Sequence, residues 1–365
     1  MKILFVLHLP PPIHGSAAVG LQIKESKVIN DNFQCRFINL GTSVSIDEIG
    51  KRKLIKVFRY LDILFKVLKS IIFHRPDLCY FSLSSQFVPF YKDTLLILLG
   101  KLFRIKLVYH FHNKGVRLRQ HKYIDDKLYW LVLHNSTVIL LSEKLYPDVE
   151  KYVNKNQVFY CPNGIKDSEV QPQILNNDSS IPVEIFFLSN LIESKGIFVL
   201  LEACKLLQER NLTFHCTMVG DVGDVCEQRF NLKLQEMGLT NHVHYIGKKF
   251  GIEKDVIFSK SDIFVHPTLN DCFPLVLLEA MKNSLPVVST FEGGIPDIVS
   301  DNVTGFLVPK NDAIALAEKL ELLITHPELC IEMGKEGRKK FKSEFTLSIF
   351  ETRMKEILEQ LGQRK

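Results

Sequence analysis

The chain has 365 residues, 46% of them apolar and 24% charged, a composition that excludes a disordered polypeptide and a length that is too great for one ordinary core. Its net charge of +5 conceals an asymmetry: residues 1–165 hold 24 Lys and Arg against 12 Asp and Glu, a net of +12, and the remainder is net −7. Eight cysteines without any C-x-x-C pair argue against a zinc site or a disulfide framework and fit reduced thiols in a cytosol.

The opening MKILFVLHLPPP has a leader-like apolar run, but three prolines and no small-residue cleavage site follow it, so it is read as a buried first strand. Residues 51–73 follow a helical period, with Leu54, Val57, Phe58, Leu61, Leu64, Phe65, Leu68 and Ile71 along one stripe and Arg52, Lys56, Arg59, Lys66 and Lys69 on another face. The apolar stripe is expected to rest on a sheet. With Asp62 as the one acid among them, the bases would also be drawn to an anionic membrane surface. Nucleic acid is the other polyanion that such charge attracts, but no basic motif interleaved with aromatics is present. No apolar run reaches the length of a transmembrane helix; LLILLG at 95–100 is cut short by Lys101 and Arg104.

Predicted strands in the first half are KILFVLHL, DLCYFSLSS, KLVYHFH, TVILLS and QVFYC. His110 and His112 in KLVYHFH are read as pointing to opposite faces, one of them being structural. KDSEVQPQILNNDSSIP, at 166–182, has the polar, proline-containing composition of a linker. Beyond it come the predicted strands VEIFFLS, TFHCTMVG, HVHYIG, DIFVHP and LPVVST. Strands that alternate with longer helical patterns predict βαβ units, and so two doubly wound α/β domains facing each other across a cleft, with ligand at the carboxyl ends of the strands. The expected domains are 1–168 and 181–345, with 346–365 a C-terminal helix that packs back on the first domain.

The most informative stretch is DCFPLVLLEAM at 271–281. Pro274 is suited to open a helix, whose first amides at Leu275 and Val276, with the positive end of its dipole, make a seat for phosphate. Glu279 falls on the face of Leu275, one turn along, and Asp271 lies on the preceding turn. Two carboxylates and an anion seat suit a ligand that combines sugar hydroxyls with phosphates.

This stretch resembles the E-x7-E motif of the retaining GT-B "glycosyl transferases group 1" family, with Asp271 and Glu279 at the acidic positions. The likeness extends, in order, to NLIESKGIFVLLEA (190–203), MVGD (218–221), GG-x-P-D-I-V (293–299) and TGFLV (304–308). It is weaker in the basic half, where PPIHGSA (11–17), HFHNKG (110–115) and CPNGI (161–165) carry it. The resemblance implies a GT-B fold and transfer of a sugar from a nucleoside diphosphate donor. Glu279 would hold the ribose, Asp271 the transferred sugar, and Lys195 the diphosphate. Gly15 would approach the phosphates and His112 the sugar. Gly220, Phe273, Leu275 and Val276 complete the implied donor contacts, together with Asn190, which stands where the family usually has an arginine. The aspartate at 271 is a second departure, one methylene shorter than the family's glutamate.

The implied function is a retaining, metal-independent glycosyltransferase with no cofactor beyond its donor substrate; no D-x-D pair is present to bind a metal. The acceptor would be a saccharide or lipid-linked saccharide in bacterial surface polysaccharide synthesis, and the protein would be cytoplasmic and peripheral on the membrane. The rivals are a degenerate paralogue that binds nucleotide sugar or a partner subunit without turnover, and a sugar-nucleotide epimerase, which would lack the acid pair and the basic helix.

Overall fold

The computed structural model describes residues 1–11, 14–42, 53–168 and 181–363, and it divides into two compact units, Met1–Asn163 with Leu347–Lys365, and Gly164–Thr346. Most of the polar stretch at 166–182 lies outside the described residues, as do Arg52 and part of PPIHGSA.

In the first unit, Lys2–Leu7 (β1), Gln34–Asn39 (β2), Leu78–Leu83 (β3), Lys106–Phe111 (β4), Thr137–Leu140 (β5) and Val158–Tyr160 (β6) form a parallel sheet in the order β2-β1-β3-β4-β5-β6. The helices are Gly15–Glu25 (α1), Lys27–Asn32 (α2), Lys53–His74 (α3), Phe87–Leu102 (α4), Val116–Arg119 (α5) and Tyr123–Leu133 (α6). Every residue of β3 is buried, because helices cover both faces of a doubly wound sheet. β2 escaped sequence reading because it is an edge strand with one buried residue, Ile38, and so has no apolar run.

The predicted stripe of α3 does not rest on the sheet. Ile63, Val67, Ser70 and Ile71 are buried, whereas Leu54, Phe58 and Phe65 are 77%, 71% and 65% exposed. The apolar positions of the helix cover a broad arc, wider than one stripe, and the line Ile63–Val67–Ile71, spaced by four, makes the inward ridge. α4 and α6 pack beside it in succession, and the Tyr60 hydroxyl donates to the Lys92 carbonyl at 2.6 Å across the α3–α4 contact.

The second unit repeats the plan. Val183–Leu188 (β7), Phe214–Val219 (β8), Val243–Tyr245 (β9), Ile263–His266 (β10), Val287–Thr290 (β11) and Gly305–Val308 (β12) run parallel in the order β12-β11-β10-β7-β8-β9. Its helices are Ile197–Glu209 (α7), Glu227–Met237 (α8), Ile252–Lys260 (α9), Leu275–Lys282 (α10), Ile295–Ile298 (α11), Ala313–Thr325 (α12) and Pro327–Glu344 (α13). Phe187, Leu200, Met218, Phe230, Ile263 and Val288 belong to one buried cluster, each such side chain contributing about 1.5–3 kcal/mol by leaving water. The chain then returns to the first unit as Leu347–Gln363 (α14), which packs on α2 and accepts at Leu361 a bond from the Lys106 ammonium at 2.6 Å. Among the described residues no helix is long and apolar enough to cross a membrane.

Candidate functional site

Strands β7 and β10 are neighbours, so the loops that leave their carboxyl ends meet at one edge of the second sheet. After β7 a 3-10 turn, Glu193–Lys195, hands over to α7 through Gly196 at φ 79°. The loop after β10 docks on that turn: the amides of Leu269 and Asn270 donate to the Ser194 carbonyl at 2.8 and 3.2 Å, as does the Thr268 hydroxyl at 3.2 Å. Docking leaves no room at position 196, where a Cβ would lie 2.0 Å from the Pro267 carbonyl oxygen. Gly196→Ala is therefore expected to cost at least about 2 kcal/mol, from left-handed backbone strain and the clash together. It would be read as a lower urea midpoint at unchanged slope; an unchanged midpoint would mean that the loop yields.

This docking brings Lys195 and Asp271 together. The ammonium stands 2.6 Å from Asp271 Oδ2 and 3.4 Å from the Asn270 carbonyl. His266, 1% exposed at the end of β10, faces the same Oδ2 through Nε2 at 3.2 Å, and the Cys272 amide donates to Oδ1 at 3.0 Å. Burial opposes the charge on Asp271, but His266 and Lys195 outweigh it and hold the carboxyl well below the usual carboxylate range. Burial depresses His266 in turn, with Asp271 acting against that. Because an ionised carboxylate can only accept, the His266 proton on this side belongs to Nε2.

Sequence reasoning missed His266, and it also missed Glu292, a 3% exposed carboxylate in the loop after β11. Glu292 Oε1 accepts the Asp271 amide at 3.3 Å, and Oε2 pairs with Lys310 at 2.7 Å. The signals were present as a histidine closing DIFVHP and an acid preceding the paired glycines in FEGG.

α10 begins after Pro274 as expected, and the amides of Leu275 and Val276 at its first turn lie outside the helix's own i→i−4 ladder. Glu279, on that helix, is paired with Lys254 of α9 at 2.8 Å, both side chains being about one-fifth exposed. Phe273 is 5% exposed with its ring against Phe345, at a centroid distance of 6.1 Å, so the aromatic side chain belongs to the core of the unit. Asn190 is occupied with holding the backbone: its Oδ1 accepts the Asp221 amide at 3.0 Å. Gly220 sits where a Cβ would lie 1.9 Å from the Ser189 carbonyl oxygen, so close approach of the β7 and β8 ends itself demands glycine there.

Gly15 and His112 belong to the first unit. Gly15 is exposed, follows the N-cap His14 and has nothing within 4 Å of a would-be Cβ, so packing in this unit does not require it. His110 and His112 do not point to opposite faces. Their ring centroids are 4.1 Å apart, because residues two apart on a strand share a face. His110 is fully buried with Nδ1 2.6 Å from the Tyr80 hydroxyl and is the structural member; His112 is half-buried. Burial, with His8 and His14 adding repulsion, pushes His112 down to about 3, so it presents a neutral ring near pH 7.

Residues 171–340 match the family described as glycosyl transferases group 1. The amylovoran biosynthesis glycosyltransferase AmsK of Erwinia amylovora is 33% identical over 187 residues, covering 50% of this chain and 46% of that protein. The capsular polysaccharide biosynthesis glycosyltransferase CapM of Staphylococcus aureus is 27% identical over 178 residues, covering 48% and 44%. The chain thus spans about half the length of the curated relatives it matches. Among solved structures, Anabaena HepE in complex with UDP aligns with a TM-score of 0.76 at 18% identity, covering 99% of this chain and 100% of that one. WaaG, a glycosyltransferase involved in lipopolysaccharide biosynthesis, aligns with a TM-score of 0.66 at 15% identity, covering 97% and 99%. Both likenesses concern the fold, which is GT-B.

Proposed function

Because residues 171–340 match the glycosyl transferases group 1 family and the fold is GT-B, we propose that the protein is a retaining glycosyltransferase. It moves a sugar from a nucleoside diphosphate donor to a saccharide or lipid-linked saccharide, in assembly of a bacterial surface polysaccharide. The observation that carries this reading is the pairing of Lys195 with Asp271 at the carboxyl ends of β7 and β10, beside an open helix N-terminus. A donor diphosphate would draw the Lys195 ammonium to itself and take the amides of Leu275 and Val276. Charge developing on the leaving group would be met by these preorganised donors, so that no metal is required. Asp271, freed of its lysine, would turn to the sugar, and Glu279 would accept the ribose hydroxyls. The similarity to AmsK and CapM, glycosyltransferases of amylovoran and capsular polysaccharide biosynthesis, supports the pathway.

The test is saturation-transfer NMR against a panel of UDP-, GDP- and other nucleotide sugars, with donor hydrolysis followed in the same tubes. One donor that binds and is hydrolysed, releasing sugar first in the donor's own anomeric form, is the expected result. Binding without turnover, even with membrane extract as acceptor source, would replace the enzyme with a non-catalytic nucleotide-sugar binder. The inward-turned Asn190 and the short acid at 271 would then be the reason.

A lipid-linked acceptor calls for a membrane contact, and the outward faces of α3, α4 and α6 support one on the cytoplasmic leaflet. They expose Phe58, Leu61, Phe65, Leu95 and Trp130, and α3 adds Lys66 and Lys69 for anionic headgroups. Phe58→Ser with Phe65→Ser is expected to weaken flotation with anionic vesicles at least about tenfold, since each ring contributes about 2 kcal/mol on burial. Flotation independent of anionic lipid would rule out the electrostatic part.

A further inference from the structure

Four charged side chains stand in line across the carboxyl ends of the neighbouring strands β7, β10, β11 and β12: Lys195, Asp271, Glu292 and Lys310. The first pair is accounted for by the donor site. The second pair has no place in the family pattern described above, and its carboxylate is buried, a cost that its pairing with Lys310 offsets.

Glu292 holds the backbone that carries the Asp271 carboxylate. Oε1 accepts the Asp271 amide at 3.3 Å, while Lys310 at 2.7 Å fixes the other oxygen. The following two glycines close on the same stretch of backbone. The Gly294 amide donates to the Cys272 carbonyl at 2.8 Å. Gly293, at φ 53°, lies so close that a Cβ would be 2.3 Å from the Asp271 carbonyl oxygen. Residues 271–272 are thus gripped at one amide and one carbonyl by 292–294, independently of the side-chain bonds from Lys195 and His266. We propose that Glu292, held by Lys310, is the positioning residue for Asp271: it sets the backbone from which a short carboxylate must reach the transferred sugar. An aspartate has one methylene fewer with which to correct an error in backbone placement, and displacement of about 1 Å at a reacting group costs on the order of 100-fold.

The inference rests on the transferase reading, and its test has two arms so that the two can fail separately. The first is amide hydrogen exchange of the ligand-free protein, read at the peptide containing Asp271 and Cys272. Glu292→Leu should speed exchange there at least about tenfold, with Glu292→Gln, which keeps an acceptor oxygen, recovering most of the protection. Unchanged exchange in Glu292→Leu overturns the proposal whether or not the wild-type protein turns over. The second arm is kinetic. Glu292→Leu should lower kcat on the order of 10- to 100-fold with the donor dissociation constant within about threefold, and Glu292→Gln should restore most of the loss. A kcat unchanged in folded Glu292→Leu overturns the proposal, as does a loss shared equally by kcat and donor affinity. If Glu292→Leu does not fold, Lys310→Met decides in both arms: it removes the Lys310 bond to Oε2, and unaltered exchange and kcat would count against the assignment. Absence of wild-type turnover would instead refute the transferase reading and leave the exchange arm standing.

Discussion

Lys195→Met is expected to reduce turnover of a nucleoside diphosphate sugar on the order of 100- to 1,000-fold while the protein remains folded. Methionine nearly matches the lysine stem in shape and length and the side chain is 23% exposed, so packing is spared and what is lost is one preorganised positive charge facing the leaving group. The fall should appear in kcat as well as in kcat/KM; a rise in KM at constant kcat would mean that Lys195 binds substrate and transition state alike. The same variant carries a pH signature. The folded-state pKa of Asp271 is depressed, so its contribution to stability is present above the unfolded value of about 3.9 and is lost as pH falls below it. With Lys195 gone, His266 alone remains of the two supports. The variant should be less stable than wild type at pH 6, with the gap closing only as pH falls from about 3.9 toward the depressed folded-state value. A gap that does not change across that window would show that Lys195 does not stabilise the Asp271 carboxylate.

Glu279→Ala is expected to weaken donor binding at least about 100-fold, more than Asp271→Asn does. Two hydroxyl bonds to a charged acceptor, at about 1.5–3 kcal/mol for such bonds, would be lost, whereas the side-chain amide introduced by Asp271→Asn still has an oxygen that accepts. Glu279 has Lys254 as its partner, so its removal also leaves a part-buried ammonium unpaired. Lys254→Met separates these effects: if pairing alone mattered, it would match Glu279→Ala, but if ribose binding matters it should have much the smaller effect. Dissociation constants for the three variants, measured calorimetrically with the preferred donor, decide the matter. Equal and negligible changes for Glu279→Ala and Asp271→Asn would overturn the assignment of both carboxylates.

The legible parts of this molecule were those written in consecutive residues. Strands buried on both faces, such as LCYFSL at 78–83, are continuous apolar runs and were recognisable as such. So was the proline-led start of α10, because Pro274 acts through its own ring geometry. β2 was not, since an edge strand that exposes alternate residues carries no such run. The orientation of α3 was misjudged because its apolar arc is broad enough to hold more than one stripe at helical spacing; contact with its neighbours, not periodicity, selected Ile63, Val67 and Ile71.

At the site, the sequence by itself determined which chemistry is available: Asp271 and Glu279 eight residues apart around an apolar helix start, Lys195 before a glycine, and the paired glycines at 293–294. Tertiary structure alone decided which of these groups meet. Lys195 and Asp271 are 76 positions apart, and Glu292 and Lys310 are 18 apart. They come together only because β7, β10, β11 and β12 lie side by side in parallel and deliver their following loops to one edge. Pairing of a charge with a distant charge depends on strand order, and strand order is a property of the whole sheet rather than of any short stretch within it.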